Sequence, residues 1–79
     1  MSKTEFERLT QEEQLHLLQR SGIYIGKLRK EAVTAVLYQL ETFYVEVLYR
    51  QYRRFIKELR CFESASQIDP YLEQTDLGL

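Results

Sequence analysis

The sequence contains few residues of the types that interrupt secondary structure or cross-link a chain. Its 79 residues include one Cys, one Pro, three Gly and no Trp. Because Cys61 is the lone cysteine, no internal disulfide can form. A single thiol is typical of a reducing compartment, and we expect a cytoplasmic protein. No apolar run approaches the roughly 20 residues of a membrane helix, and the acidic start MSKTEFERLTQEEQ is not a signal peptide. We therefore expect no membrane association.

The sequence also lacks recognisable motifs for catalysis, metals and cofactors. One His and one Cys cannot supply the converging ligands of a zinc site. The segment GIYIG, residues 22–26, lacks the third glycine and the Lys-Ser/Thr pair of a phosphate-binding loop. His16 and Cys61 could form a base and nucleophile pair, but no oxyanion loop or orienting group accompanies them in the sequence. We therefore expect no enzymatic activity, no metal and no cofactor.

The residues that are present suit a small folded domain. Hydrophobic residues make up 44% of the chain and charged residues 29%, which is too apolar for a disordered protein. A chain of this length buries only about 60–65% of its unfolded surface, so its stability margin is narrow. We expect one domain spanning residues 1–79, with residues 1–8 flexible.

Helix signals lie near both ends of the chain. Thr10 and Glu13 have the spacing of a capping box, and we expect the helix that follows to end at Gly22 in the left-handed conformation. The segment DPYL, residues 69–72, combines a capping residue with proline at the first helical position. It predicts a short C-terminal helix that buries Tyr71 and Leu72 and ends at Gly78.

The middle of the chain, residues 23–62, admits two interpretations. Apolar residues from Val33 to Leu59 recur at steps of three and four, which favours one long helix. Apolar side chains would then cover about 240° of that helix, far more than a surface helix shows. The segments VTAVLYQL and TFYVEVLY are dense in β-branched and aromatic residues, which favour strands. We therefore predict strands at 23–29, 33–40, 43–50 and 55–62.

The predicted fold class is α+β, with an N-terminal helix, a four-stranded antiparallel meander and a short C-terminal helix. The alternative is an all-α fold with one long central helix. The turns weaken the strand interpretation, because KEA, ET and QYRR lack the Gly and Asn that hairpins prefer.

The segments YIGK, LYQLETFYVEVLY, YRRFIKELRCF and DPYLEQTDL follow one another in an order that resembles a group of short bacterial proteins. These share an FYVEV-type core strand and a DPYLxQ-like C-terminus, and the likeness covers residues 9–77. Because such proteins commonly have Gly, Asn or Asp at the positions of the predicted turns, the resemblance implies strands. It implies no activity, because none is established for the group.

Basic residues concentrate in the middle of the chain, whereas residues 61–79 contain four acidic residues and no basic one. If residues 50–54 form a hairpin tip, one tyrosine and three arginines project together into solvent. We take these four as candidate partner-binding residues: Arg50, Tyr52, Arg53 and Arg54.

Two kinds of partner suit this composition. Two open edge strands and many Tyr and Arg residues favour a protein partner, including a second copy of the chain. The cations and rings of residues 49–60 could instead bind nucleic acid, although the net charge of -1 argues against it. We expect a non-catalytic protein–protein interaction module, with nucleic-acid binding as the alternative.

Overall fold

Two helices lead into a four-stranded antiparallel sheet. The structure, a computed structural model, describes residues 1–30, 32–50, 56–64, 68 and 71. The helices are α1, Lys3–Glu7, and α2, Gln11–Ser21; the strands are β1, Ile23–Lys30, β2, Val33–Leu40, β3, Phe43–Arg50, and β4, Ile56–Phe62. The strands lie in the order β1-β2-β3-β4, so that β1 and β4 form the two edges.

The predicted fold class needs correction in its helices. The alternative of one long central helix is wrong, because the middle of the chain forms the sheet. A single N-terminal helix is wrong as well, since α1 precedes α2 and has its own capping box between Ser2 and Glu5. The predicted C-terminal helix falls outside the described residues, apart from Tyr71.

The antiparallel sheet follows from alternation along its strands. In β3, Phe43, Val45 and Val47 are all fully buried on one face, while Leu48 is buried on the other. Both faces of the sheet are covered, so apolar side chains are needed on both. This requirement explains why apolar residues spread so widely when they are placed on a helix.

The first face of the sheet packs against the two helices. Its core comprises one residue from each helix and four from the strands, all buried: Phe6, Leu18, Leu40, Phe43, Val45 and Val47. The rings of Phe6 and Phe43 lie 5.7 Å apart between centroids. Residues 1–8, which we expected to be flexible, thus contain a helix that buries Phe6 completely.

The second face of the sheet is closed by a residue from the C-terminal segment. Tyr71 is only 2% exposed and packs with Ala35, Leu37 and Leu48. Its hydroxyl donates a hydrogen bond to the carboxylate of Glu46, which points from β3 towards this face. A ring with a hydroxyl suits this place because the apolar body covers the sheet while the polar end satisfies a carboxylate.

The connection between β2 and β3 shows how a hairpin forms without glycine. Leu40 pairs with Phe43, which leaves Glu41 and Thr42 as the connecting residues. Glu41 has a φ of 55°, in the left-handed region that disfavours residues with a Cβ atom, alanine included. The sheet register holds this residue in a conformation that its own preference opposes.

Gly22 ends α2, but the left-handed conformation that we predicted for it is wrong. Its φ is -75°, which any residue adopts, and its N–H donates to the carbonyl of Leu18. Glycine is needed here because a Cβ atom would lie 2.7 Å from that same carbonyl oxygen. Glycine is therefore required because residue 22 lies close to the backbone of α2, and not because its backbone is left-handed.

Candidate interaction surfaces

The structure describes only one of the four predicted partner-binding residues. Arg50 is exposed at the end of β3 and pairs with Val33, which places it on the second face of the sheet. Tyr52, Arg53 and Arg54 lie outside the described residues. Their grouping at a hairpin tip therefore stays a prediction.

The described part of the basic segment 49–60 contributes to the fold itself. Tyr49 packs against the core on the helix-facing side. Arg60 approaches two carboxylates, with its Nη1 3.9 Å from Oε1 of Glu46 and its Nε 3.7 Å from Oε2 of Glu58. Tyr49 and Arg60 thus already make contacts within the chain.

β4 is an edge strand whose outward side carries both signs of charge. Glu58 and Arg60 lie opposite Leu48 and Glu46, and so face the second side of the sheet. The side chain of Arg60 is 62% exposed and that of Glu58 is 45% exposed. Since the arginine's distances to its acidic neighbours exceed hydrogen-bonding range, these contacts hold it loosely. Both charges can therefore reach a strand added at this edge.

The helix-facing side of β4 offers Leu59 and Cys61, which line an open cleft of about 500 Å³ together with Glu7 and Gln14. Burial raises the pKa of the Cys61 thiol to about 11. The thiol is thus protonated at neutral pH and behaves as a small apolar group. His16 lines a different depression, on the outer side of α2 with Glu12 and Glu13.

A second cleft opens on the other face of the sheet. Leu28, Val33, Ala35 and Leu48 form its apolar floor, and the side chains at its charged rim are Glu46, Lys57 and Arg60. Its volume is about 180 Å³, below the roughly 300–1,000 Å³ of pockets that enclose a small organic ligand. This second cleft is therefore too small to enclose such a ligand.

β1, the other edge strand, exposes two large apolar side chains. Ile23 is 64% exposed and Tyr24 is 59% exposed. Further along the strand, Lys27 and Arg29 are exposed too. Sequence reasoning missed Tyr24 because exposure depends on which strand forms the edge, and only the strand order reveals that.

Some classes of site find no support in the structure. The described ranges contain no group of three His, Cys, Asp or Glu residues able to hold a metal ion. None of the helices seen here is both long enough and apolar enough to cross a membrane. Comparisons with protein-family models, curated proteins and solved structures found no match to the chain. A proposal on function therefore depends on the geometry of this molecule.

Proposed function

We propose that the chain is a non-catalytic protein-interaction module that self-associates through β4. The supporting observation is the order of charges along this open edge. In the strand sequence IKELRCF, Glu58 and Arg60 flank Leu59 with opposite charges. An edge of this kind is complementary to a second copy of itself.

The register of the proposed pairing follows from this charge order. When two β4 strands run antiparallel with Leu59 opposite Leu59, Glu58 of each copy lies opposite Arg60 of the other. Directly opposite side chains in an antiparallel pair have Cβ atoms about 4.5–5.5 Å apart, close enough for ion pairs. The arrangement has two-fold symmetry, as most homodimers do.

The faces of the sheet also match in this arrangement. A two-fold axis perpendicular to the sheet reverses the strand direction and keeps each face on its own side. The charges therefore meet on the second face, and the two Leu59 side chains meet on the helix-facing side. The irregular pairing in β4 lies between Ile56 and Glu58, so the centre of the new pair uses regular strand.

The charges at the other edge do not favour self-pairing. β1 and β2 together contain three basic residues and no acidic one. Two copies of β1 would thus bring six cations to one junction without a single carboxylate from these strands. Lysine and arginine on an exposed edge oppose pairing with a like strand, which makes β4 the better interface.

The ion pairs select the register and contribute modestly to affinity. Each cross-strand pair of opposite charges contributes roughly 0.2–1 kcal/mol. Main-chain hydrogen bonds between the two edges and the contact of the Leu59 side chains supply the rest, as in other cases of strand addition. Reversing one charge turns both symmetric contacts from attractive to repulsive, which provides a direct test.

We predict that Glu58→Arg shifts the protein to monomer. If each of the two equivalent contacts changes by about 1 kcal/mol, the dimer dissociation constant rises roughly 30-fold. Arg60→Glu should act in the same direction. The double variant Glu58→Arg/Arg60→Glu restores opposite charges at both contacts and should recover the dimer. Sedimentation equilibrium over a range of protein concentrations measures all four dissociation constants.

The matched control is Glu63→Arg, which makes the same charge change at an exposed residue just beyond β4. It should dimerise as the unmodified chain does. Circular dichroism of each variant checks the fold, since Arg60→Glu places a further carboxylate near Glu46. A chain that is monomeric at every concentration would refute self-association. A dimer that tolerates both single reversals would place the interface elsewhere.

A further inference from the structure

The helix-facing side of the sheet carries an open patch of tyrosines and cations at the β1 edge. Tyr24 pairs with Tyr38 across β1 and β2, and the register places Lys27 and Arg29 on the same face. Tyr24 and both cations are exposed, while Tyr38 is half-buried. We propose that this tyrosine–cation patch, formed by these four residues, binds single-stranded nucleic acid. The proposal is independent of β4, which lies at the opposite edge.

Within the part of the chain that the structure describes, the cations of the patch have no anionic partner. Among the described residues, neither Lys27 nor Arg29 takes part in an ion pair, whereas Lys3 lies 3.2 Å from a carboxylate oxygen of Glu7. No acidic residue is present in β1 or β2. β1 thus forms a locally basic strand in a chain whose net charge is -1. Such a region attracts a polyanion despite the overall charge.

The tyrosine rings of the patch form an ordered cluster. The rings of Tyr24 and Tyr38 meet edge to face, with centroids 6.2 Å apart and planes at 77°. This geometry is favourable for aromatic pairs and supports the exposed ring of Tyr24. Burial raises the pKa of Tyr38, and the nearby Tyr49 and Tyr24 raise it further.

The rings favour nucleic acid over an acidic protein segment. Phosphates of a nucleic acid can pair with Lys27 and Arg29 while a base stacks on Tyr24. A carboxylate gains nothing from the face of the ring, because that face is electrostatically negative. Only an unpaired base exposes its own face for stacking, so the expected ligand is single-stranded. Stacking accepts any base, and we expect little sequence preference.

The test uses fluorescence anisotropy with a labelled oligothymidylate of roughly 16 nucleotides, the upper site size of comparable sheet surfaces. We expect binding at low salt that weakens as salt is added. Tyr24→Ala should lower affinity about tenfold without changing the salt dependence, and Tyr24→Phe should restore it. Lys27→Ala and Arg29→Ala should each reduce the slope of log affinity against log salt by about 0.7.

The charge control is Arg8→Ala, which removes an exposed cation near the end of α1, the helix that packs on β4. It should leave the salt slope unchanged. No anisotropy change at low salt would overturn the proposal, and so would equal effects of Arg8→Ala and Lys27→Ala. Tighter binding of polyglutamate, or of the same oligonucleotide as a duplex, would also contradict it, because either ligand would bypass stacking on Tyr24.

Discussion

At the scale of single residues, the contact between Tyr71 and Glu46 connects the C-terminal segment to the sheet. The hydroxyl can donate to the carboxylate only while it is protonated. Burial raises the pKa of Tyr71 above its ordinary value of 10.0, and the hydrogen bond to Glu46 raises it further. Both effects act in the same direction because the tyrosinate would be a buried anion beside a carboxylate. The folded state therefore favours the protonated ring.

This preference predicts a loss of stability in alkaline solution. A folded-state pKa above the unfolded value contributes stability that is fully present below about pH 10 and declines as the pH rises towards the folded-state pKa. Tyr71→Phe retains the ring but removes the titrating hydroxyl, so its stability should fall less steeply above about pH 10. Denaturant unfolding of both proteins across this pH range measures the difference.

The matched control is Tyr24→Phe, which removes a hydroxyl from an exposed ring outside the contact. It should lose stability with pH as the unmodified chain does. Should Tyr71→Phe follow the same steep profile, the contact with Glu46 would not be the source of the alkaline sensitivity.

At the scale of elements, the hairpin between β2 and β3 contains strain that its sequence does not relieve. Its first connecting residue, Glu41, has a positive φ, for which glycine is the usual choice. A side chain in the left-handed region costs roughly 1–2 kcal/mol. The pairing of β2 with β3 offsets this cost. It comprises eight paired positions, from Val33 opposite Arg50 to Leu40 opposite Phe43.

We predict that Glu41→Gly is more stable than Glu41→Ala by about 1 kcal/mol, because glycine relieves the backbone strain and alanine does not. Both substitutions remove the ion pair between Glu41 and the N-terminal amine, so their difference isolates the backbone. Thermal or urea unfolding measures it. Equal stability of the two variants would show that the left-handed conformation is not strained at this turn.

The sequence predicts the two helices with different clarity. The capping box between Thr10 and Glu13 predicts the start of α2, and the structure shows both of its hydrogen bonds. The sequence SKTE, residues 2–5, has the same spacing and starts α1. A helix of five residues has too little apolar periodicity to be predicted from the sequence. Tertiary packing of Phe6, rather than helix propensity, stabilises so short a helix.

At the scale of the whole molecule, the proposed self-association predicts that stability depends on protein concentration. A dimer that forms only from folded chains raises the melting temperature as concentration increases. For a chain of this size we expect a rise of a few degrees for each tenfold increase above the dissociation constant. Glu58→Arg should show a nearly constant melting temperature. Differential scanning fluorimetry at several concentrations compares the two, and a constant value for both would contradict dimerisation.

The candidate surfaces were only partly predictable from the sequence. The basic residues of segment 50–60 are visible in the sequence, but their roles depend on register. Arg60 lies near Glu46 only because β3 and β4 pair at those positions. Tyr24 and Tyr38 are far apart in sequence and form one cluster only because β1 folds back onto β2. Neither contact can be read from neighbouring residues in the sequence, because the strand register determines which residues become cross-strand partners.

The sequence by itself determined the local structure of the chain. Alternating β-branched and aromatic residues specify strands, and a serine or threonine three positions before a glutamate specifies a helix start. These signals act over a few residues and need no distant partner. Only the tertiary structure decided which strands became edges, that Tyr71 closes the second face, and that Glu41 adopts a strained conformation. Those outcomes depend on contacts between residues remote in sequence, because burial and register are set by the packed sheet as a whole.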